Sequence, residues 1–205
     1  MARSLKIDTK SSLDLVTLTE AKNYLRIDFS DDDNYLADLI DMAKETIEKY
    51  CNISIYQQTL IQQSDIWEET FDLLRSPVQN TGDIEITHIK YYDENDVQQT
   101  WDSSNYNLDT NMSPARIYLT DESESYPDIS NRIYPIEIKY KSGSTSVGDA
   151  PKMLKQACLL ILGQFYENRQ PYIVGRSVAE IPMTVRYLLD HHKTQTFGLP
   201  SNISL

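Results

Sequence analysis

Three histidines, two cysteines and a short acidic run are the residues through which this 205-residue chain could do chemistry. His88 falls in a β-rich stretch, and His191 and His192 are adjacent, so their side chains diverge. None is spaced to serve as base to a hydroxyl or thiol nucleophile. Asp31, Asp32 and Asp33, with Asp28 close by, could suggest a divalent cation. A calcium loop, however, alternates its ligands around a mid-loop glycine, and this run has neither feature. The same carboxylates have a simpler use at a helix start, where they meet the positive end of the dipole. Cys51 and Cys158 lack a CxxC arrangement and make no cysteine zinc site. Both lie among apolar neighbours on predicted helices and read as small buried thiols rather than as a disulfide. Six glycines leave little material for a phosphate-cradling loop. Glu167 and Arg169 end a predicted helix, either as a charged end leaving the core or as a buried or intersubunit pair. The sequence therefore predicts no catalytic residue, no metal site and no cofactor.

Charge narrows the function classes further. A formal charge of −12 and a pI near 4.6 argue against a basic groove for nucleic acid and against anionic membrane surfaces. No charged-then-apolar leader opens the sequence, so no signal peptide is expected and the cysteine usage suits an intracellular protein. Fourteen tyrosines against four phenylalanines favour sheet surfaces and protein interfaces, where a ring is half buried with its hydroxyl wet.

The elements that hold these groups are organised around residues 151–169, PKMLKQACLLILGQFYENR. From Ala157 to Gly163 this run is apolar on every face, so neighbours must cover it on several sides. It is far shorter than the ~20 residues of a membrane span. Pro151 suits the first turn, with Asp149 placed to cap. Thr17-Leu18-Thr19-Glu20 is a capping box opening a short helix that ends near Arg26. Residues 30–33 open a second helix, with Leu36, Leu39, Ile40, Ala43, Ile47 and Tyr50 at helical spacing and Asn52 as its stop. Its other face, with Asp38, Asp41, Lys44, Glu45, Glu48 and Lys49, is predicted to be solvated. Pro182 begins a last short helix carrying Val185, Leu188 and Leu189.

Between the helix pairs the period changes to two. Strands are predicted over 57–66 and 69–74, with Trp67 and Phe71 as anchors. In 84–92 the alternation slips between Ile86 and Ile89, which predicts a bulge. Residues 93–96 form a hairpin turn into Val97, Gln99 and Trp101, followed by strands at Tyr106 and Leu108 and at Ile117 and Leu119. In 136–141, Ile136, Ile138 and Tyr140 face inward, and 142–148 reads as a polar linker. The predicted fold class is α+β, a four-helix domain (15–54 plus 142–190) with an inserted antiparallel β-sheet domain (55–141). A flexible N-terminal arm (1–14) precedes it and a C-terminal tail (191–205) follows. Phe197, Leu199, Ile203 and Leu205 in the tail, and Tyr172, Ile173 and Val174 in the loop before Pro182, are apolar without a period. They are the candidate partner-binding residues.

Leu18-x-Glu20-Ala21-Lys22-x-x-Leu25-Arg26, an acidic turn, then Leu39-Ile40-x-x-Ala43-x-x-x-Ile47-Glu48-x-Tyr50 resemble the opening of the head–tail connector (adaptor) proteins of long-tailed bacteriophages. The Tyr91-Tyr92-Asp93 hairpin and the helix end Phe165-Tyr166-Glu167-Asn168-Arg169 resemble the larger, β-containing members. That family often has glycine in the turn after Tyr-Tyr-Asp, where this chain has Asn95-Asp96. The resemblance touches most of residues 15–190 and neither the first 14 residues nor the tail. It implies a virion structural protein, not an enzyme, located in the neck and assembled in the host cytoplasm. Its subunits would form a ring, commonly twelve-fold, between the portal and the next head-completion or tail protein. DNA would pass through the channel without specific binding, and no membrane is involved. Free subunits would self-associate weakly and close into a ring on the portal. The seven partner-binding candidates would then meet the portal or a neighbouring subunit. Two other classes compete: a tail-associated carbohydrate- or receptor-binding module using the Tyr/Trp-rich β insertion, and a hydrolase using Asp or Glu.

Overall fold

Local capping signals become backbone geometry directly. The computed structural model describes residues 3–78, 83–121, 125–168 and 183–194. In helix α1 (Leu18–Leu25) the Thr17 hydroxyl accepts from the Glu20 N–H at 3.2 Å, and the Glu20 carboxylate accepts from the Thr17 N–H at 2.8 Å. Arg26 ends α1 in the left-handed region at φ 58°, and Asn52 ends α2 (Asp33–Cys51) likewise at φ 55°. The acidic run before α2 does more than oppose a dipole. Asp32 makes no side-chain cap; its carboxylate accepts from the Tyr166 hydroxyl at 2.6 Å, while Asp33 pairs with Lys22 at 2.6 Å. These contacts tie the start of α2 to α3 and α1.

Helix α3 (Lys152–Glu167) buries Leu154, Ala157, Cys158, Ile161 and Leu162 among side chains of α1, α2 and α4 (Met183–Asp190). Leu159 and Leu160 are only partly buried, so the helix is not covered on every face. Pro151 stands at the position before the helix rather than in its first turn. Asp149 does not cap it, because its carboxylate accepts from the Ser144 hydroxyl at 2.6 Å.

A mixed α+β fold results, with antiparallel sheets beside the four helices. Strands β1 (Arg3–Thr9), β3 (Gln58–Ser64), β10 (Ile136–Gly143), β6 (Asp83–Tyr92) and β7 (Gln98–Trp101) form a five-stranded antiparallel sheet in the order β1-β3-β10-β6-β7. The sequence expectation of a flexible arm over residues 1–14 is corrected here. Arg3 pairs with Ser64 and Thr9 with Thr59, Arg3 is ion-paired to Glu68, and Leu5 and Ile7 pack on the sheet. Two alternating apolar residues are too short a pattern to announce a strand; the partner edge of β3 makes it one. The bulge expected in β6 is present: Lys139 faces His88 while Tyr140 faces Ile86, leaving Thr87 unpaired in register.

Strands β4 (Thr70–Asp72), β9 (Arg116–Leu119) and β8 (Tyr106–Asp109) form a second antiparallel sheet in the order β4-β9-β8. It closes over the first across an aromatic layer. Trp67 lies 5.0 Å from both Trp101 and Tyr126, and 5.7 Å from Phe71 edge-on. A short parallel pair, β2 (Ile53–Ser54) with β5 (Ser76–Pro77), joins this region to the helices.

Of the expected polar linker 142–148, residues 145–148 are exposed, but the first three residues are buried. Ser142, Gly143 and Ser144 continue the strand inward, and Ser144 bonds reciprocally across the Ile55–Gln57 segment at 3.1 and 2.8 Å. Gly143 adopts φ 115°, and a Cβ there would stand 2.3 Å from the Tyr56 carbonyl oxygen, so only glycine fits. Ile53, Ile55, Tyr56 and Val78 consequently belong to the helical core, while a separate core fills the space between the sheets.

Candidate interaction surfaces

The partner-binding residues expected from sequence (Tyr172, Ile173, Val174, Phe197, Leu199, Ile203 and Leu205) all lie outside the described residues, as does Arg169. Their points of departure are described. The Asn168 N–H donates to the Gln164 carbonyl at 3.1 Å as α3 ends, and the chain returns at Met183. The α3 end sits at the start of α2, through the Tyr166–Asp32 bond and the Tyr35–Tyr166 ring contact at 6.2 Å. After α4, the Thr194 N–H donates to the Cys51 carbonyl at 2.9 Å, and the Tyr50 hydroxyl donates to Asp190 at 2.8 Å. The tail thus departs from the other end of α2. A helix of 19 residues spans about 28 Å, so the two segments leave from opposite ends of the bundle.

Tyr24 on α1, Phe29 before α2 and Phe165 on α3 are exposed. On α4, Met183 (88%) and Tyr187 (67%) are exposed, with the Tyr187 ring 5.2 Å from His191. An open groove runs between the end of α1 and the end of α3, floored by Leu25, Leu160 and Gly163. A Cβ at Gly163 would lie 3.3 Å from the Tyr24 ring, so a larger residue there would have to push this exposed ring aside. Such a surface can receive an apolar side chain from a partner.

The residues that first suggested chemistry are placed otherwise. Burial pushes the thiols of Cys51 and Cys158 up to about 12, which keeps them protonated and poor nucleophiles. His88 Nε2 lies 3.5 Å from Glu137 on the sheet surface. Among the described residues no group of three or more His, Cys, Asp or Glu side chains is placed to hold a metal ion.

One polar site escaped the sequence reading. Lys44 (6% exposed) and Glu48 (7%) are buried, not solvated. Lys44 Nζ donates to the Leu13 carbonyl at 3.1 Å and pairs with Asp41 at 3.1 Å. Glu48 accepts from the Ile55 N–H at 2.9 Å. Burial raises its carboxyl above the usual range, against the pull of the Ile55 N–H, Arg75 and Lys44. A signal was available: 36, 40, 44 and 48 form one i, i+4 row that begins with buried Leu36 and Ile40. Arg75, itself only 7% exposed, completes the site from the segment leading into β5.

Comparison with known proteins agrees with this architecture. Residues 15–114 match the family described as phage gp6-like head-tail connector protein. No curated protein matches the chain. Among solved structures, a chain of the virion of a native gene transfer agent (GTA) particle superposes with a TM-score of 0.75 at 20% identity. That superposition covers 95% of this chain and 97% of the other. A chain from the neck of the empty GTA particle, computed with C6 symmetry, gives 0.75 at 20% identity over 95% and 98%. One from the neck of the native particle, computed with C12 symmetry, gives 0.69 at 19% identity over 94% and 98%.

Proposed function

We propose that this chain, whose residues 15–114 carry the head-tail connector family pattern, is a structural connector of a virion neck. The observation that carries the reading is that family match, which spans α1, α2, strands β3, β6 and β7 of the larger sheet and β4 and β8 of the smaller one. The similarity over 95% of the chain to a GTA-particle neck structure supports the same whole-chain fold. In this reading the four helices are one unit, residues 55–141 are an insertion whose sheet also takes up Arg3–Thr9 as an edge strand and lends Ile55, Tyr56 and Val78 to the helical core, and copies close into a twelve-fold ring. The ring sits between a portal and the next head-completion or tail protein, is assembled in the host cytoplasm, and surrounds a channel for DNA. Its role is mechanical rather than enzymatic. An acidic protein, at −12, suits a conduit that must not hold its cargo.

The departure of two segments from opposite ends of the bundle suits a part that bridges two partners. The loop 169–182 and the tail 195–205 are accordingly assigned to partner contact, one at each end. The receptor-binding alternative loses its main support, because Trp67 and Trp101 are used in the aromatic layer between the sheets.

Electron microscopy of the protein mixed with portal particles tests the assignment. A closed ring matching the portal's symmetry is expected, with weak self-association of the protein alone. Deleting residues 195–205 is expected to leave the melting temperature nearly unchanged and to weaken attachment sharply. Undiminished attachment of the truncated protein would move the assignment to the loop; no ring on any portal would remove the connector reading.

A further inference from the structure

We propose that the partly open cavity lined by α2, β3, residues at the end of β1 and Arg75 binds a single carboxylate group on the Arg75 guanidinium. The cavity holds about 220 Å³, and Ile7, Lys10, Ser11, Gln58 and Arg75 are among its lining residues. Every other cation there has a protein partner. Lys10 and Lys49 pair with Glu45, and Lys44 pairs with Asp41. Arg75 does not: its Nε is buried without a hydrogen-bond partner, and no ion pair reaches its guanidinium among the described residues. Glu48, the nearest carboxylate in charge terms, is engaged by the Ile55 N–H and Gln58 instead. A guanidinium desolvated to this degree without a partner is costly, and a ligand supplying an oxyanion removes the cost.

The lining also selects the ligand. Lys10, Lys44, Lys49 and Arg75 face Asp41, Glu45 and Glu48 in the lining, and Asp14 stands 4.0 Å from Lys44, so four cations are already set against four carboxylates. A carboxylate adds one negative charge beside Arg75; a phosphate dianion adds two and is repelled more strongly. The planar fork of a guanidinium matches a carboxylate through two parallel N–H donors. Ile7 on the wall suits the carbon to which that carboxylate is attached. The carboxylate can come from a free small molecule or from an Asp or Glu side chain of a second copy of this acidic chain. The site chemistry is the same.

The test uses the full chain, labelled with ¹⁵N, and follows the Arg75 Nε–H resonance during titration with sodium acetate against sodium chloride at constant ionic strength. A saturable shift with acetate, at a dissociation constant on the order of 1 mM, is expected, with none for chloride. Wild-type melting temperature should rise over the same range, and Arg75→Gln should lose that rise. If Arg75→Gln fails to fold, the wild-type resonance still decides. Movement of the resonance with protein concentration alone identifies a second copy as the source. Dependence on acetate alone identifies a free carboxylate. An unmoved Arg75 resonance, or tighter binding of phosphate than of acetate, overturns the proposal. None of these outcomes depends on whether the protein is a neck connector.

Discussion

At the scale of single residues, burial governs behaviour more than residue type does. Glu48 shows this most directly. Its folded-state carboxyl is raised, so its contribution to stability is fully present below the unfolded carboxylate range, about 4.3, and is lost as pH rises through the folded value. The groups facing it are Lys44 on its own helix, Gln58 on β3, Arg75, and the Ile55 N–H. Glu48→Gln keeps an acceptor for Ile55 without the charge. It is expected to melt above wild type at about pH 7 and to lose that advantage at about pH 4, where the native carboxyl is protonated. Equal melting at both values would mean that Lys44 and Arg75 fully offset the burial cost. Gly143 gives a steric counterpart. Gly143→Ala must leave a left-handed φ or push the Tyr56 carbonyl away. A loss of at least ~1–3 kcal/mol is expected in denaturant melts, where an ordinary surface Gly→Ala is neutral or favourable.

At the scale of elements, α3 separates positions that look alike in sequence. Leu160 and Leu162 belong to the same apolar run, yet Leu162 is fully buried and Leu160 lines the open groove beside Tyr24. Leu162→Ala is expected to cost ~2–5 kcal/mol as a core deletion. Leu160→Ala should cost clearly less in the same chemical-denaturation series. If the two costs were equal, the groove would be closed in solution. The strand β1 likewise has little signal alone: it is held by β3, by Glu68 and by the Asp8–Lys139 pair at 2.8 Å.

At the scale of the molecule, two cores meet at a narrow seam. Ile55 and Tyr56 lie on the helical side, and the Ser144 backbone bonds cross there. An excision that joins Ile53 to Ser142 removes Ile55, Tyr56 and Val78 from the helical core. Joining Gln57 to Ser142 by a short flexible linker keeps the first two. The second chimera is expected to show cooperative helical unfolding by circular dichroism and the first to be protease-sensitive throughout. Protease sensitivity in both would mean that helices and sheets fold only together.

Much of this organisation was legible in the residues themselves. The Thr17 capping box, the spacing of Leu36 to Ile47, the left-handed stop at Asn52, the alternation of Ile136, Ile138 and Tyr140, and the slip that marks the Thr87 bulge are all local patterns. Backbone geometry follows them because caps, periods and bulges are settled within a few residues. The connector resemblance rested on the same short-range patterns. Only the tertiary structure decided that Arg3–Thr9 is a strand, that Lys44, Glu48 and Arg75 are enclosed, that Ser142–Ser144 runs through the interior, and that Leu160 stays partly open. In each case the deciding group is far along the chain: the edge of β3, the Leu13 carbonyl and Ile55 N–H, the Tyr56 carbonyl, or the Tyr24 ring. A sequence period says which face is apolar. Whether a polar residue beside that face is buried depends on distant donors and acceptors arriving to satisfy it, and that is a property of the assembled fold.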